Sequence, residues 1–260
     1  TLSARPCWHV CEGVVRTFWS QDDGTSDSQM QASLLPPPQD QQVTVVSVAG
    51  GWVASLRVQG TWCRRCITCS IVDMRTKAQF AACPISDSAA PNPSINKVCA
   101  SGRFLTVSYY NLKPSTPSYL DVFEVNKDEM PLTRVQHLKG HRGIVFATSQ
   151  DNLAHRNLYG DAHVAVLRHL SGAKSCLVID CEASIIDIAL THDMVMTLED
   201  VAPSNEVVCR LFNLEEAHSE VVLKVPWPEP AISATEGRVF LARAGLRDSF
   251  CAMLTELGVS

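Results

Sequence analysis

Three cysteines crowd the stretch "TWCRRCITC": Cys63, Cys66 and Cys69. Two successive C-x2-C steps are a metal-ligand spacing, and Arg64 and Arg65 would lower the pKa of neighbouring thiols. A fourth ligand would have to come from elsewhere, Cys83 or a distant histidine. Against a metal, Cys66 and Cys69 are three apart in a run that reads as a strand, so they point to opposite faces. The stretch therefore reads as buried or loop thiols with no metal and no cofactor, zinc on Cys63, Cys66 and Cys69 being the alternative.

The same stretch supplies a different chemistry. Trp62, Arg64 and Arg65 are the residue types favoured at protein-binding hot spots. They fall in an expected loop between second and third strands, and Arg142 and Trp227 fall in connections between units, which share one face with such loops in a propeller. Together they read as one partner-binding rim. No catalytic constellation accompanies them. The sequence holds no G-x-S-x-G, P-loop, G-x-G-x-x-G or H-E-x-x-H motif, and its eight histidines are scattered.

What must position these loops is a repeat. One phrase, a polar turn followed by an apolar run, occurs in "CEGVVRTF", "AGGWVASL", "ASGRFLTV", "SQDNLAHR", "THDMVMTL" and "TEGRVFLA". Its turn residues Gly13, Gly51, Gly102, Asp151, Asp193 and Gly237 are spaced by 38, 51, 49, 42 and 44 residues. Glycine takes positive φ without steric cost and aspartate tolerates it, so each is a hairpin turn. Short apolar runs precede each turn ("VTVVSVA", "INKVCA", "GIVFAT", "IIDIAL", "AISAT"). A third run and, in most units, a fourth follow it. Helical spacing is sustained only around "FNLEEAHSEVV". Four short strands in each unit of about 40 to 50 residues describe the blade of a β-propeller. The fold class is all-β, one propeller domain over residues 1–260 with about six four-stranded blades, a seventh being compatible with a fragment. A Pro-, Ser- and Gln-rich loop at about 20–42 interrupts the first unit, with a strand at "MQASLL". The last unit lacks a fourth strand, which "TLSARP" could supply.

With these residues in view, the chain resembles the WD40-repeat family. "LKGHRGIVFATSQD" carries Gly140-His141 just before the innermost strand of a blade, where that family places its Gly-His signature. The resemblance implies that His141 packs within its blade. "IVDM", "FEVN" and "FNLE" stand where the family's Trp-Asp dipeptide would end the third strand, and the dipeptide itself is absent. Gly51, Gly102, Gly140, His141, Asp151, Asp193 and Gly237 are thus the expected structural positions.

Bulk properties narrow the function. A net charge of −5 without a basic block gives no footprint for nucleic acid. No apolar run reaches the roughly 18 residues of a membrane span. The opening "TLSARPCWHV" lacks a signal-peptide layout and reads as a processed chain or an excised domain. Eleven cysteines, an odd number, without an Asn-x-Ser/Thr sequon point to free thiols in the cytoplasm or nucleus. The expected function is a non-catalytic scaffold for protein partners, built on a WD40-like propeller within a larger chain or assembly. The substrate-recognition propeller of an F-box-type ubiquitin-ligase adaptor is the alternative. A hydrolase with a site in the central channel is the third.

Overall fold

A computed structural model describes residues 6–11, 14–19, 30–32, 43–48, 51–61, 64–76, 78, 83–86, 93–111, 117–126, 132–140, 144–158, 163–172, 176–201, 206–214, 218–225, 230–235, 238–243 and 252–254. Within them the chain forms six antiparallel sheets in sequence order. The first holds β1 (Pro6–Cys11), β2 (Val14–Trp19) and β3 (Met30–Ala32). The second holds β4 (Val43–Val48), β5 (Trp52–Thr61), β6 (Arg64–Asp73) and β7 (Cys83–Pro84). The third holds β8 (Pro93–Ser101), β9 (Phe104–Asn111), β10 (Ser118–Glu124) and β11 (Thr133–Gly140). The fourth holds β12 (Phe146–Ser149), β13 (Asn152–Arg156), β14 (Val164–His169) and β15 (Cys176–Asp180). The fifth holds β16 (Ser184–Leu190), β17 (Met194–Val201), β18 (Glu206–Asn213) and β19 (His218–Val225). The sixth holds β20 (Pro230–Thr235), β21 (Arg238–Arg243) and β22 (Ala252–Leu254).

Each sheet is a simple meander, so neighbouring strands need only short turns. Gly51 and Gly102 stand in the first hairpins of their sheets with φ of 81° and 54°, a conformation a side chain would strain. At the fourth sheet the positive φ falls on Gln150, at 49°, and not on Asp151. At the fifth, side chains build the turn: Thr191 Oγ1 donates to Asp193 Oδ1 at 2.7 Å and accepts from the Met194 amide at 3.0 Å. One backbone bond then recurs. The amide just beyond the third strand donates to a carbonyl of the first hairpin: Met74 to Gly51, Val125 to Arg103, Leu170 to Asp151 and Leu214 to Asp193. "IVDM", "FEVN" and "FNLE" are the segments that enter this clamp. The helical spacing of "FNLEEAHSEVV" gives way to strand, since its described residues are the end of β18, a turn residue at Leu214 and the start of β19. No described strand from one chain end joins the sheet at the other, and Pro6 pairs with Trp19 inside the first sheet.

Both faces of the central sheets are buried. β10 shows why: Tyr119 and Phe123 pack into a core shared with Leu56, Ile67 and Ile71 of the second sheet. Leu120 and Val122, on its other face, pack against Phe146, Leu153 and Leu158 of the fourth. Residues 147–212 supply a third core between the fourth and fifth sheets, around Ile185, Ile188 and Val195. Each fully buried large apolar side chain contributes about 1.5–3 kcal/mol.

Polar side chains strap one sheet to the next by donating to main-chain carbonyls. Lys97 Nζ donates to Phe146 O at 2.7 Å, Ser101 Oγ to Gln150 O at 2.8 Å, and Arg156 Nη1 to Ile185 O at 2.9 Å. Gln136 Nε2 reaches both His169 O, at 2.6 Å, and Leu170 O, at 2.8 Å.

Gly140 ends β11 close against Leu158, just beyond β13. A Cβ there would lie 2.7 Å from Leu158 Cβ and 3.0 Å from the Leu158 carbonyl oxygen. Gly140→Ala should therefore lower stability by about 1–3 kcal/mol through overpacking. Urea melts of both proteins measure this, and an unchanged midpoint would show that the sheets are not seated so closely.

Candidate interaction surface

The β5–β6 hairpin sets the geometry of the expected rim. Among the described residues β4 pairs with β5 as far as Arg57, and β7 pairs with β6 at Thr68 and Cys69. β5 and β6 continue past those rungs as a two-stranded ribbon, residues 58–61 against 64–67. Its base is anchored. Val58 and Ile67 are buried, the Ile67 amide donates to Ser86 Oγ at 3.0 Å, and the Ile85 amide donates to Ile67 O at 2.8 Å. In the third, fourth and fifth sheets the corresponding hairpin ends within one or two rungs of its four-stranded part.

Arg64 and Arg65 are corrected by this register. They are strand residues, paired with Thr61 and Gly60, and do not sit in a loop. Cys66 is also in the strand, opposite Gln59. Gly60, within the ribbon, holds φ 124°, a conformation that favours glycine. Trp62, Cys63, Arg142, His141, Trp227, Gly13 and Gly237 lie outside the described residues. Cys66 is half-buried while Cys69 is buried. No group of three or more potential metal ligands occurs among the described residues.

Three polar clusters that sequence spacing did not expose lie inside the sheets. In the third, the fully buried Asp121 is held on both oxygens. Tyr109 Oη donates to Oδ2 at 2.8 Å, and His137 Nδ1 lies 2.5 Å from Oδ1. Tyr119 stacks between Tyr109 and His137, with centroids 5.2 and 5.5 Å away. Arg134 Nη1 stands 3.7 Å from Oδ2. Burial pushes the Asp121 carboxyl above its ordinary value, and the Tyr109 and His137 hydrogen bonds oppose that rise. Tyr109, Asp121 and His137 sit on adjacent strands, so only the pairing register could have predicted their meeting.

In the fifth sheet Glu199, with no exposed surface, accepts from Arg210 Nε at 3.0 Å, Thr197 Oγ1 at 2.7 Å and the Ala183 amide at 3.2 Å. Arg210 Nη2 also reaches the exposed Glu182 at 2.5 Å. Burial, with Glu199 adding to it, pushes the thiols of Cys181 and Cys209 up to about 12. Between the third and fourth sheets lies His155, whose Nδ1 is 2.9 Å from Arg156 O. Its Nε2, with Thr106 Oγ1, Ser118 Oγ and Arg168 Nε, is buried without a hydrogen-bond partner among the described residues. Burial brings the His155 pKa down to about 4, and Arg168 lowers it further.

Two stability effects follow from these clusters. His155 binds its proton more readily unfolded, near 6.5, than folded, near 4, so stability is fully present above about pH 6.5 and falls between there and pH 4. The full loss is about 3 kcal/mol. Urea melts at pH 7 and pH 4.5 should show a smaller drop for His155→Leu than for the parent chain. Separately, Arg210→Met strands the buried Glu199 and should cost about 3–5 kcal/mol. The double variant Glu199→Leu with Arg210→Met should cost less than Arg210→Met alone, and thermal or urea melts of the set check both statements.

No family model and no curated protein matches the chain. Solved structures do. Hsv2 of Kluyveromyces lactis aligns over 88% of this chain and 65% of its own length, with 11% identity and a TM-score of 0.59. The β-propeller domain of the Trilobed protease from Pyrococcus furiosus, which has an open velcro topology, aligns over 96% of this chain and 82% of its own, with 8% identity and a TM-score of 0.57. Acylaminoacyl peptidase of Pyrococcus horikoshii aligns over 93% and 40%, with 9% identity and a TM-score of 0.59. This chain thus spans about two thirds of that Hsv2 and less than half of the peptidase. At such identities the likeness is one of fold alone, and with the sheet order it makes this chain a β-propeller.

Proposed function

We propose that the chain is a non-catalytic interaction platform, a degenerate WD40-type propeller that presents the tip of the β5–β6 hairpin to a protein partner. The observation that carries this is the ribbon at residues 58–61 and 64–67, which runs on past the described pairings of its flanking strands and carries Arg64 and Arg65 at its end. Its buried base makes it a stiff presenter, which lowers the ordering cost of binding. In a meander propeller the turns between second and third strands share one rim with the connections between sheets, and the proposed surface takes in Arg142 and Trp227 from two such connections. Free thiols at Cys66, Cys99, Cys181 and Cys209 support a reducing, intracellular compartment.

Trp62→Ala and Arg65→Ala should each weaken partner association by about 2 kcal/mol or more, roughly thirtyfold in affinity. Their melts should stay within about 0.5 kcal/mol of the parent, as surface changes do. Quantitative affinity capture with mass spectrometry, run beside a thermal melt for each variant, tests this. Normal melts with an unchanged set of captured proteins would move the binding surface away from the hairpin.

A further inference from the structure

The outer strands of the sheets differ in how they guard their edges. β11 carries Arg134 and Lys139, cations of the kind that discourage strand pairing at an edge. β15 reads Cys-Leu-Val-Ile-Asp and is uncharged until Asp180. It pairs with β14 on one side only, and its other edge has no strand among the described residues. Leu177 and Val178 are successive residues, so they face opposite ways, yet they are 38% and 56% exposed. Beside β15 a groove of about 210 Å³ separates it from the end of β18 and is lined by Leu177, Ile179, Asp180, Phe212 and Leu214. Asp180 and the neighbouring Glu182 are both exposed, and Asp180 has no ion-pair partner among the described residues.

We propose that the β15 edge binds an extended segment of a partner protein by strand addition, with an apolar side chain in the groove and a basic residue beside Asp180. An incoming strand would pair with the open edge through main-chain hydrogen bonds, and its alternate side chains would fall on the groove side. Charge selects the occupant. Asp180 stands exposed at one end of the edge beside the exposed Glu182, so a segment that carries lysine or arginine at that end is the one the site answers. This surface is separate from the hairpin rim, so either can fail without the other.

The test pans a phage-displayed library of random linear peptides against the whole protein. Enriched peptides should alternate apolar residues and carry Arg or Lys at one end. A synthetic copy of the best should bind Val178→Lys roughly tenfold or more weakly, on the scale of a lost interface anchor, while Arg65→Ala binds it normally. Asp180→Lys should enrich acidic peptides instead, and the synthetic copy with alternate amides N-methylated should lose binding. All variants should melt as the parent does, since the changed side chains are exposed. No enrichment, binding indifferent to Val178→Lys, or full affinity after N-methylation would overturn the proposal. So would sedimentation velocity showing a dimer that Val178→Lys dissolves, because the occupant would then be a second copy.

Discussion

Everything else in this molecule depends on one constraint: its central sheets are apolar on both faces, and a single sheet cannot bury both. β10 states the constraint most sharply, with six of its seven residues buried. Tyr119 and Phe123 need the second sheet, and Leu120 and Val122 need the fourth. Sheets packed in series around an axis satisfy that demand, with each contributing one face to each neighbour. The first strands β4, β8, β12 and β16 adjoin in order as a result. The hairpin rim, the outer edges and the buried polar clusters are all placed by that arrangement.

Much of this was legible in the sequence because its period is long and its strands are short. The apolar runs around Gly51 and Gly102 are separated by residues that only a turn accommodates, and both glycines hold positive φ. What was not legible depends on register. The turn after Thr61 contains neither glycine nor asparagine, so Arg64 and Arg65 read as loop when they are the first rungs of β6. The fourth sheet's turn was centred one residue late, because its carbonyl clamp falls on Asp151 while Gln150 takes the left-handed conformation. "GIVFAT" begins its strand at Phe146, since Ile144 and Val145 belong to the connection.

Asp121 shows how register makes a site that spacing hides. The β10–β11 ladder shifts between Val122 and Phe123, so Phe123 opposes Arg134 and not Val135. Without that bulge Arg134 would oppose Glu124 and point to the far face. With it, Arg134 joins Tyr109 and His137 on the Asp121 face. A single extra residue thus decides which charge meets a fully buried carboxylate. Such a device leaves no trace in residue spacing, because the sequence of an extra strand residue looks like the sequence of any other.

The absence of a family match alongside a clear structural likeness has a physical basis in the straps. Lys97, Ser101, Gln136 and Arg156 all bond to main-chain carbonyls of the following sheet. A carbonyl is present whatever side chain its residue carries, so each strap constrains the donor and leaves the acceptor free to vary. The clamp from Met74, Val125, Leu170 and Leu214 is backbone at both ends and constrains neither. Apolar contacts between sheets ask for volume and patterning more than for identity. Repeats held in these three ways can diverge in sequence and keep their geometry, which is why Gly140 stands out: its contact with Leu158 is one that no side chain can replace.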